Sequence, residues 1–156
     1  MGQIESRLQE MGITLPPVKS PIANFVSYKR VGNILYLSGQ GPKDENGKVI
    51  VGRLGKDRTT EQGYQDARRV ALQLLATVQV ALGTLDGVAN IVKLLGLVNA
   101  EADFKECPKV INGCSDLLVD VFGEKGRHTR SAIGVNALPG GTSCEIEAIF
   151  EIANGY

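Results

Sequence analysis

Several residue types that support common chemistries are scarce in this sequence. It contains no tryptophan, one histidine and three cysteines. A single histidine excludes a metal site built from several histidines of one chain. The cysteines are odd in number, widely spaced and free of any C-x-x-C pattern, so we expect buried free thiols and no metal at Cys107, Cys114 and Cys144. His128 lies in a Gly-Arg-His-Thr turn, where a surface role is the simplest interpretation.

Excess charge and long apolar runs are absent too. The chain has 17 basic and 17 acidic residues and no net charge, so the broad basic surface of a nucleic-acid binder is not expected. No apolar run has the length of a membrane span, and the N-terminus MGQIESRLQEMG lacks the apolar core of a signal peptide. We therefore expect a cytoplasmic protein. Its 156 residues fit one domain, residues 1–156.

Helical and strand patterns alternate along the chain in an order that predicts an α+β fold. A short amphipathic helix and a linker occupy residues 1–20, and the core follows at 21–156. The capping-box spacing of Thr59 and Gln62 opens a long helix that ends at Leu82, and a second helix runs from Pro108 to Phe122. β-prone runs lie at 25–29, 34–37, 49–51 and 91–98, with a bulge expected at Gly96. This order predicts a sheet with both long helices packed on one face.

The segment from residue 130 to residue 152 predicts a β-hairpin. Two alternating runs, 130–135 and 143–152, flank a Leu-Pro-Gly-Gly loop. Alternation places Arg130 on one face with two small residues, which leaves room for a carboxylate beside the guanidinium group. A solvated charged face fits the same pattern. A turn centred near residues 139 and 140 would place Arg130 opposite residue 149 and Glu145 opposite residue 134, about 13 Å apart along the ladder.

The chain resembles the Rid family of reactive-intermediate deaminases, also called YjgF or L-PSP endoribonuclease-like proteins, over about residues 20–153. The resemblance is carried by Gly32-Asn33-Ile34-Leu35-Tyr36-Leu37-Ser38-Gly39-Gln40 with Pro42, by Asp103-Phe104, and by Arg130-Ser131, Leu138-Pro139 and Glu145-Ile146-Glu147. It implies a fold like that of bacterial chorismate mutase, with a mixed β-sheet. It also implies a homotrimer whose clefts lie between subunits.

The resemblance further implies an activity and its residues. Active members hydrolyse a 2-imino acid, formed from an enamine such as 2-aminoacrylate, to a 2-keto acid and ammonia without metal or organic cofactor. The family pattern gives Arg130 the role of carboxylate anchor and Glu145 that of positioning or activating water, with Phe25, Ser38, Gly39 and Ala132 lining the cleft. Since the hairpin register keeps the arginine and the glutamate apart, we expect each cleft to combine residues of two subunits.

Departures from the family pattern leave the substrate open. Phe25 stands where the family has a cleft tyrosine, and Pro108 replaces an asparagine expected after Asp103-Phe104, although Asn112 lies one helical turn further on. Residues 112–130 resemble a distinct, less characterised branch. The alternatives are a non-catalytic trimer that binds a small carboxylate through Arg130, and an endoribonuclease, which the lack of an interleaved basic and aromatic strip disfavours. Chorismate mutase activity would rest on fold analogy alone.

Overall fold

The computed structural model describes residues 1–156 and contains three α-helices and one five-stranded sheet. The helices are α1 (Gln3–Glu10), α2 (Thr60–Leu82) and α3 (Cys107–Phe122). The strands are β1 (Tyr28–Val31), β2 (Ile34–Gln40), β3 (Val88–Asn99), β4 (Thr129–Val135) and β5 (Cys144–Ile152). The fold therefore has the predicted α+β class.

The ends of the long helices follow the capping signals of the sequence. Thr59 accepts a hydrogen bond from the Gln62 backbone, and the Gln62 side chain accepts one from the Thr59 backbone, which completes the predicted capping box. Helix α2 ends at Gly83, whose φ of 80° is in the left-handed region that favours glycine. No helix of the fold combines the length and the hydropathy needed to cross a membrane.

The sheet is mixed and has the strand order β1-β2-β5-β3-β4. Strand β4 runs parallel to β3, and every other neighbouring pair is antiparallel. Helices α2 and α3 cover one face, as predicted, and share with it a cluster of 29 buried apolar residues. The sheet contributes alternate side chains to this cluster, among them Leu35, Leu37, Ile91, Leu94, Val98, Ile146, Ala148 and Phe150. The other face, here called the open face, is uncovered.

The predicted hairpin between the last two strands is wrong. Strands β4 and β5 do not pair, because β3 lies between them. Arg130 is opposite Leu94 and Glu145 is opposite Leu97, so neither has the predicted partner. The connection at 136–143 crosses the end of β3 and is held by main-chain bonds such as Asn99 N to Ser143 O at 2.9 Å. The long apolar β3 takes hydrogen-bonded neighbours on both sides, which a local turn signal does not reveal.

Three smaller expectations also fail. Residues 49–51 form only isolated bridges and no strand. Phe25 precedes β1, which begins at Tyr28. The register of β3 against β5 shifts near residues 89 and 92, not at Gly96. Gly96 instead lets helix α3 approach, because a Cβ there would lie 2.6 Å from the Ile111 side chain.

A buried ion pair fixes the segment that leads into α2. Arg58 donates two hydrogen bonds of 2.7 Å to the carboxylate of Asp66, which is 1% exposed. Ser143 Oγ donates a third, also of 2.7 Å. The carboxylate thereby joins α2, the segment before it and the start of β5. Loss of Arg58 would leave this buried charge uncompensated, whereas loss of the Ser143 hydroxyl would remove one of its three hydrogen bonds.

Helices α2 and α3 approach closely at Gly113. A Cβ at this position would lie 1.9 Å from the carbonyl oxygen of Tyr64 in α2, so no larger residue fits without movement of the backbone. The contact sets the distance between the two helices that cover the sheet.

We expect Gly113→Ala to lower the free energy of unfolding by about 2 to 3 kcal/mol, because overpacking forces the helices apart. Asn112→Ala is the matched control, since the Asn112 side chain is half-buried and makes no hydrogen bond; its effect should stay within about 0.5 kcal/mol. Urea unfolding measures both variants. Equal stability of Gly113→Ala and the parent would contradict the close approach.

Candidate functional site

The predicted site residues fall into two groups at different places on the sheet. Arg130 and Ala132 lie on the helix-covered face of β4, an edge strand. Ser38 and Gly39 lie near the end of β2, with Phe25 in the segment before β1. Glu145 lies on β5 and faces the open side, next to Gly39. The structure therefore joins Glu145 to the Ser38 and Gly39 group and keeps Arg130 apart.

Neutral acceptors of helix α3 hold Arg130. Its Nη1 donates to Ser115 Oγ at 3.1 Å, and its Nη2 donates to the carbonyl oxygen of Pro108 at 3.3 Å. Arg130 is half-buried as a residue, and its guanidinium group forms no ion pair within the chain. It also has more N–H donors than these two bonds use. Arg130 is thus a fixed cation with free donors, as a carboxylate anchor requires.

His128 completes a chain of hydrogen bonds behind the arginine. Its Nδ1 lies 2.7 Å from the carbonyl oxygen of Gly126, which can only accept, so Nδ1 carries the proton. In the neutral ring, Nε2 then accepts from Ser115 Oγ at 2.8 Å, and that hydroxyl in turn accepts from Arg130. Burial lowers the pKa of His128, and the nearby charge of Arg130 lowers it further, while the bond to Gly126 opposes the shift. The imidazole is therefore not the surface group that the sequence suggested.

Sequence reasoning missed Ser115 and His128 as partners of Arg130. A signal existed in the spacing, because residues 108, 112 and 115 recur at helical intervals and lie along one side of α3. Their orientation toward β4 depends on how α3 packs on the sheet. The spacing alone does not contain that information.

A β-bulge shapes the Glu145 end of the site. Leu37 pairs with Ala148 and Gln40 pairs with Ile146, so Ser38 and Gly39 together oppose one residue of β5. A Cβ on Gly39 would lie 3.1 Å from the carboxyl carbon of Glu145. The absence of a side chain there lets the carboxylate lie across the bulge. Gly39 therefore allows a close approach. The sequence alone was compatible with either a close approach or a simple turn at this position.

A cavity of about 350 Å³ opens beside this bulge. Phe25, Ser38 and Gly39 line it, together with Gln40 and Lys43. Ser38 Oγ donates to the carbonyl oxygen of Val26 at 2.6 Å, which holds the segment that carries Phe25. Phe25 is 55% exposed and presents an apolar ring to the cavity mouth. Three of the predicted lining residues thus meet around one space.

Arg130 and Glu145 of one chain cannot meet. In the register of the sheet, Arg130, Leu94 and Ala148 form one row, and Ile133, Leu97 and Glu145 form another. The rows are three residues apart and belong to opposite faces, and the two residues are two strands apart. These offsets correspond to about 10 Å along the strands and about 10 Å across them. The prediction that the two groups lie too far apart is confirmed, although the hairpin and the separation of about 13 Å along its ladder are wrong.

Thiol and metal chemistry find little support. All three cysteines are buried free thiols, as expected. Burial raises the pKa of Cys144 to about 12 and also raises the pKa of Cys107 and of Cys114, which disfavours a reactive thiolate. No three His, Cys, Asp or Glu side chains lie together where they could hold a metal ion.

Comparison with known proteins gives consistent matches across the chain. Residues 5–152 match the family model described as "YjgF/chorismate mutase-like, putative endoribonuclease". Protein TCP17 of Trypanosoma cruzi is 44% identical over 98% of this chain and 96% of its own length. The crystal structure of a "putative endoribonuclease" from Shewanella oneidensis superposes with a TM-score of 0.91 at 35% identity, covering 96% of this chain and 99% of that one. RidA from a Psychrobacter species gives a TM-score of 0.59 at 27% identity, covering 89% and 98%.

The single histidine allows its protonation to be measured directly. Because its pKa is lower in the folded protein than in the unfolded chain, the unfolded state binds more protons. The stability that depends on neutral His128 is complete above about pH 6.5 and falls as the pH drops toward the folded pKa. We expect the ring proton resonance to titrate with a midpoint below that of a free histidine. Lowering the pH from about 7.5 to about 5 should reduce the free energy of unfolding, measured with urea, more in the parent than in His128→Gln. An equal pH dependence in the two proteins would contradict the neutral, hydrogen-bonded ring.

Proposed function

This chain belongs to the YjgF/chorismate mutase-like family, and on that premise we propose that it hydrolyses reactive 2-imino acids to 2-keto acids and ammonia. The single observation that carries the proposal is the state of Arg130. A guanidinium group of a half-buried arginine, without a counter-ion and held by two neutral acceptors, is an arrangement in which a ligand carboxylate supplies the missing charge.

The chemistry needs few groups beyond this anchor. Water adds to the C=N carbon of the imine, a C–O bond forms, and a proton leaves the water. Glu145 is the proposed acceptor of that proton and passes it to the imine nitrogen, which gives the carbinolamine. Glu145 then takes the proton of the new hydroxyl group and delivers it to the nitrogen as the C=O bond forms and the C–N bond breaks. The products are the 2-keto acid and ammonia, and no electrons are exchanged. Holding the carboxylate and the water in place supplies much of the acceleration.

We further propose that each working site is shared by two subunits of a homotrimer. The distance and the opposite faces of Arg130 and Glu145 support this arrangement, since one chain cannot apply both to a small substrate. The open face of the sheet supports assembly as well. Its apolar side chains include Tyr36 at 47% and Ile133 at 49% exposure. In this arrangement Arg130 of one subunit completes the Phe25, Ser38, Gly39 and Glu145 half-site of its neighbour.

Non-catalytic binding of a small carboxylate is the second candidate, and the same arginine favours it. It would use Arg130 but no proton transfer, so it makes no demand on Glu145. Endoribonuclease activity, which appears in the family description, has less support, because the chain has no net charge to attract RNA.

Glu145→Gln separates hydrolysis from binding alone. We expect at least about a 100-fold loss in the rate of keto-acid release from imino acids generated in situ by an amino-acid oxidase, because the amide cannot accept the proton. Glu151→Gln is the control, since Glu151 shares the open face and the strand but pairs with Ile34, at the end of β2 far from the Gly39 bulge. Equal losses in both variants would point to a general charge effect. Full activity of Glu145→Gln would exclude the proposed water chemistry.

Mixing two inactive variants tests the shared site. Arg130→Ala and Glu145→Ala subunits, exchanged in mild denaturant and reassembled in equal amounts, should regain about a quarter of the parent activity by random assembly. Mixing Arg130→Ala with the Arg130→Ala/Glu145→Ala double variant is the control, and it should regain none. If mass spectrometry proves mixed assemblies and activity stays absent, the site is not shared.

A further inference from the structure

A second and larger cavity adjoins the Ser38 and Gly39 end of the site. It has a volume of about 490 Å³, between the linker at 14–19, the turn at 43–47 and one side of helix α2. Both cavities are lined by Lys19, Ser27, Gln40, Lys43 and Gln73, so the larger one continues the smaller one toward the helix-covered side of the sheet. This space exceeds what a three-carbon imino acid needs, and lies in the range of pockets for much larger ligands.

Gln73 lies at the boundary between the two cavities and has an unused acceptor. The residue is only 8% exposed, and its Nε2 donates to the carbonyl oxygen of Gly41 at 2.8 Å and to Gln40 Oε1 at 3.3 Å. These acceptors fix the orientation of the amide. Its Oε1 accepts no hydrogen bond within the chain and is not fully enclosed, so it faces the cavity. An acceptor in this position is satisfied by a water or by a donor on a ligand.

The charges around the larger cavity do not cancel. Glu45 is paired with Arg69 at 2.7 Å, and Asp44 Oδ1 accepts the backbone N–H groups of residues 46 and 48 at 2.9 Å each. Lys19 and Lys43 form no ion pair. Both lysines also line the boundary with the smaller cavity. Asp44 forms no ion pair either, but three basic side chains (Lys19, Lys43 and Arg69) against two acidic ones (Asp44 and Glu45) leave an excess of one positive charge. A terminal anionic group on a ligand is favoured there.

We propose that the substrate is a 2-imino acid with an extended side chain that ends in an anionic group held by Lys19 and Lys43. The methylene groups of that side chain would lie on Leu72 and Ala76, which form the α2 part of the apolar cavity wall. The inference rests on the proposed imine hydrolysis and adds the substrate class to it. The reaction at C2 is unchanged, so the side chain contributes binding and specificity only.

A matched pair of substrates tests this specificity. Oxidation of 2-aminoadipate and of norleucine gives imino acids of equal chain length that differ at the far end, a carboxylate in one and a methyl group in the other. We expect kcat/KM, after subtraction of spontaneous hydrolysis, to be at least about tenfold higher for the adipate-derived substrate. The reason is that its terminal carboxylate accepts charge-assisted hydrogen bonds from the two lysines. Similar values for the two substrates would overturn the proposal.

Variants of the two lysines assign the preference to the cavity. Lys19→Gln/Lys43→Gln should bring the ratio of the two kcat/KM values close to one. Lys48→Gln is the control, because Lys48 is an exposed lysine that directly follows the turn at 43–47 and lines neither cavity; the ratio should persist. An unchanged ratio in the double variant overturns the anionic site.

The two proposals fail in distinguishable ways. Hydrolysis of the norleucine-derived substrate without any preference would overturn the substrate class and leave imine hydrolysis standing. If the parent hydrolyses neither substrate, the proposed imine hydrolysis is wrong. Calorimetric binding of the two keto acids then tests whether the cavity binds an anionic ligand. Tighter binding of 2-oxoadipate than of 2-oxohexanoate that depends on Lys19 and Lys43 supports an anionic ligand, and equal binding excludes one.

Discussion

The parallel pairing of β4 with β3 is the constraint on which the site depends. It puts β4 at one edge of the sheet and leaves the other side of β3 for β5. Arg130 then faces the helices and Glu145 faces the open side, with β3 between them. No change of rotamer brings these two groups together, because their backbones fix both the distance and the face. Each chain consequently presents two separate half-sites.

Local features of this fold, including the pairing of β1 with β2, could be predicted from the sequence, and the pairing of strands distant along the chain could not. Alternation correctly sorted the faces of β4 and β5, and the capping box of Thr59 and Gln62 located the start of α2, because both signals act within a few residues. The hairpin failed because β3, more than thirty residues upstream, competes for the same edges. Gly96 was misread as a bulge because its small size serves contact with Ile111, a tertiary requirement. The environment of Arg130 likewise depends on the packing of α3, so the sequence did not reveal that Ser115 and His128 form its hydrogen-bond chain.

Helix α3 also explains how a departure from the family pattern is compatible with an ordered arginine. Pro108 lacks the side-chain amide that the resemblance led us to expect, yet its backbone carbonyl still accepts from Arg130. Ser115 provides the other acceptor, and a neutral His128 fixes the hydroxyl orientation. The guanidinium group is thus positioned without any negative charge that would compete with a ligand carboxylate. These neutral hydrogen-bond acceptors limit the motion of the arginine and leave its electrostatic attraction for a ligand carboxylate intact.

The central position of β5 has a consequence for biosynthesis. This strand separates β2 from β3, although it follows both of them and β4 in the sequence. While the ribosome is still making the chain, the β1–β2 hairpin and the β3–β4 pair can form, but no hydrogen bonds can join them until β5 has emerged. Both incomplete units expose strand edges that attract other chains. Completion of the sheet is therefore a late step of folding, and chaperones that shield unpaired edges have their main opportunity before residues 144–152 leave the ribosome.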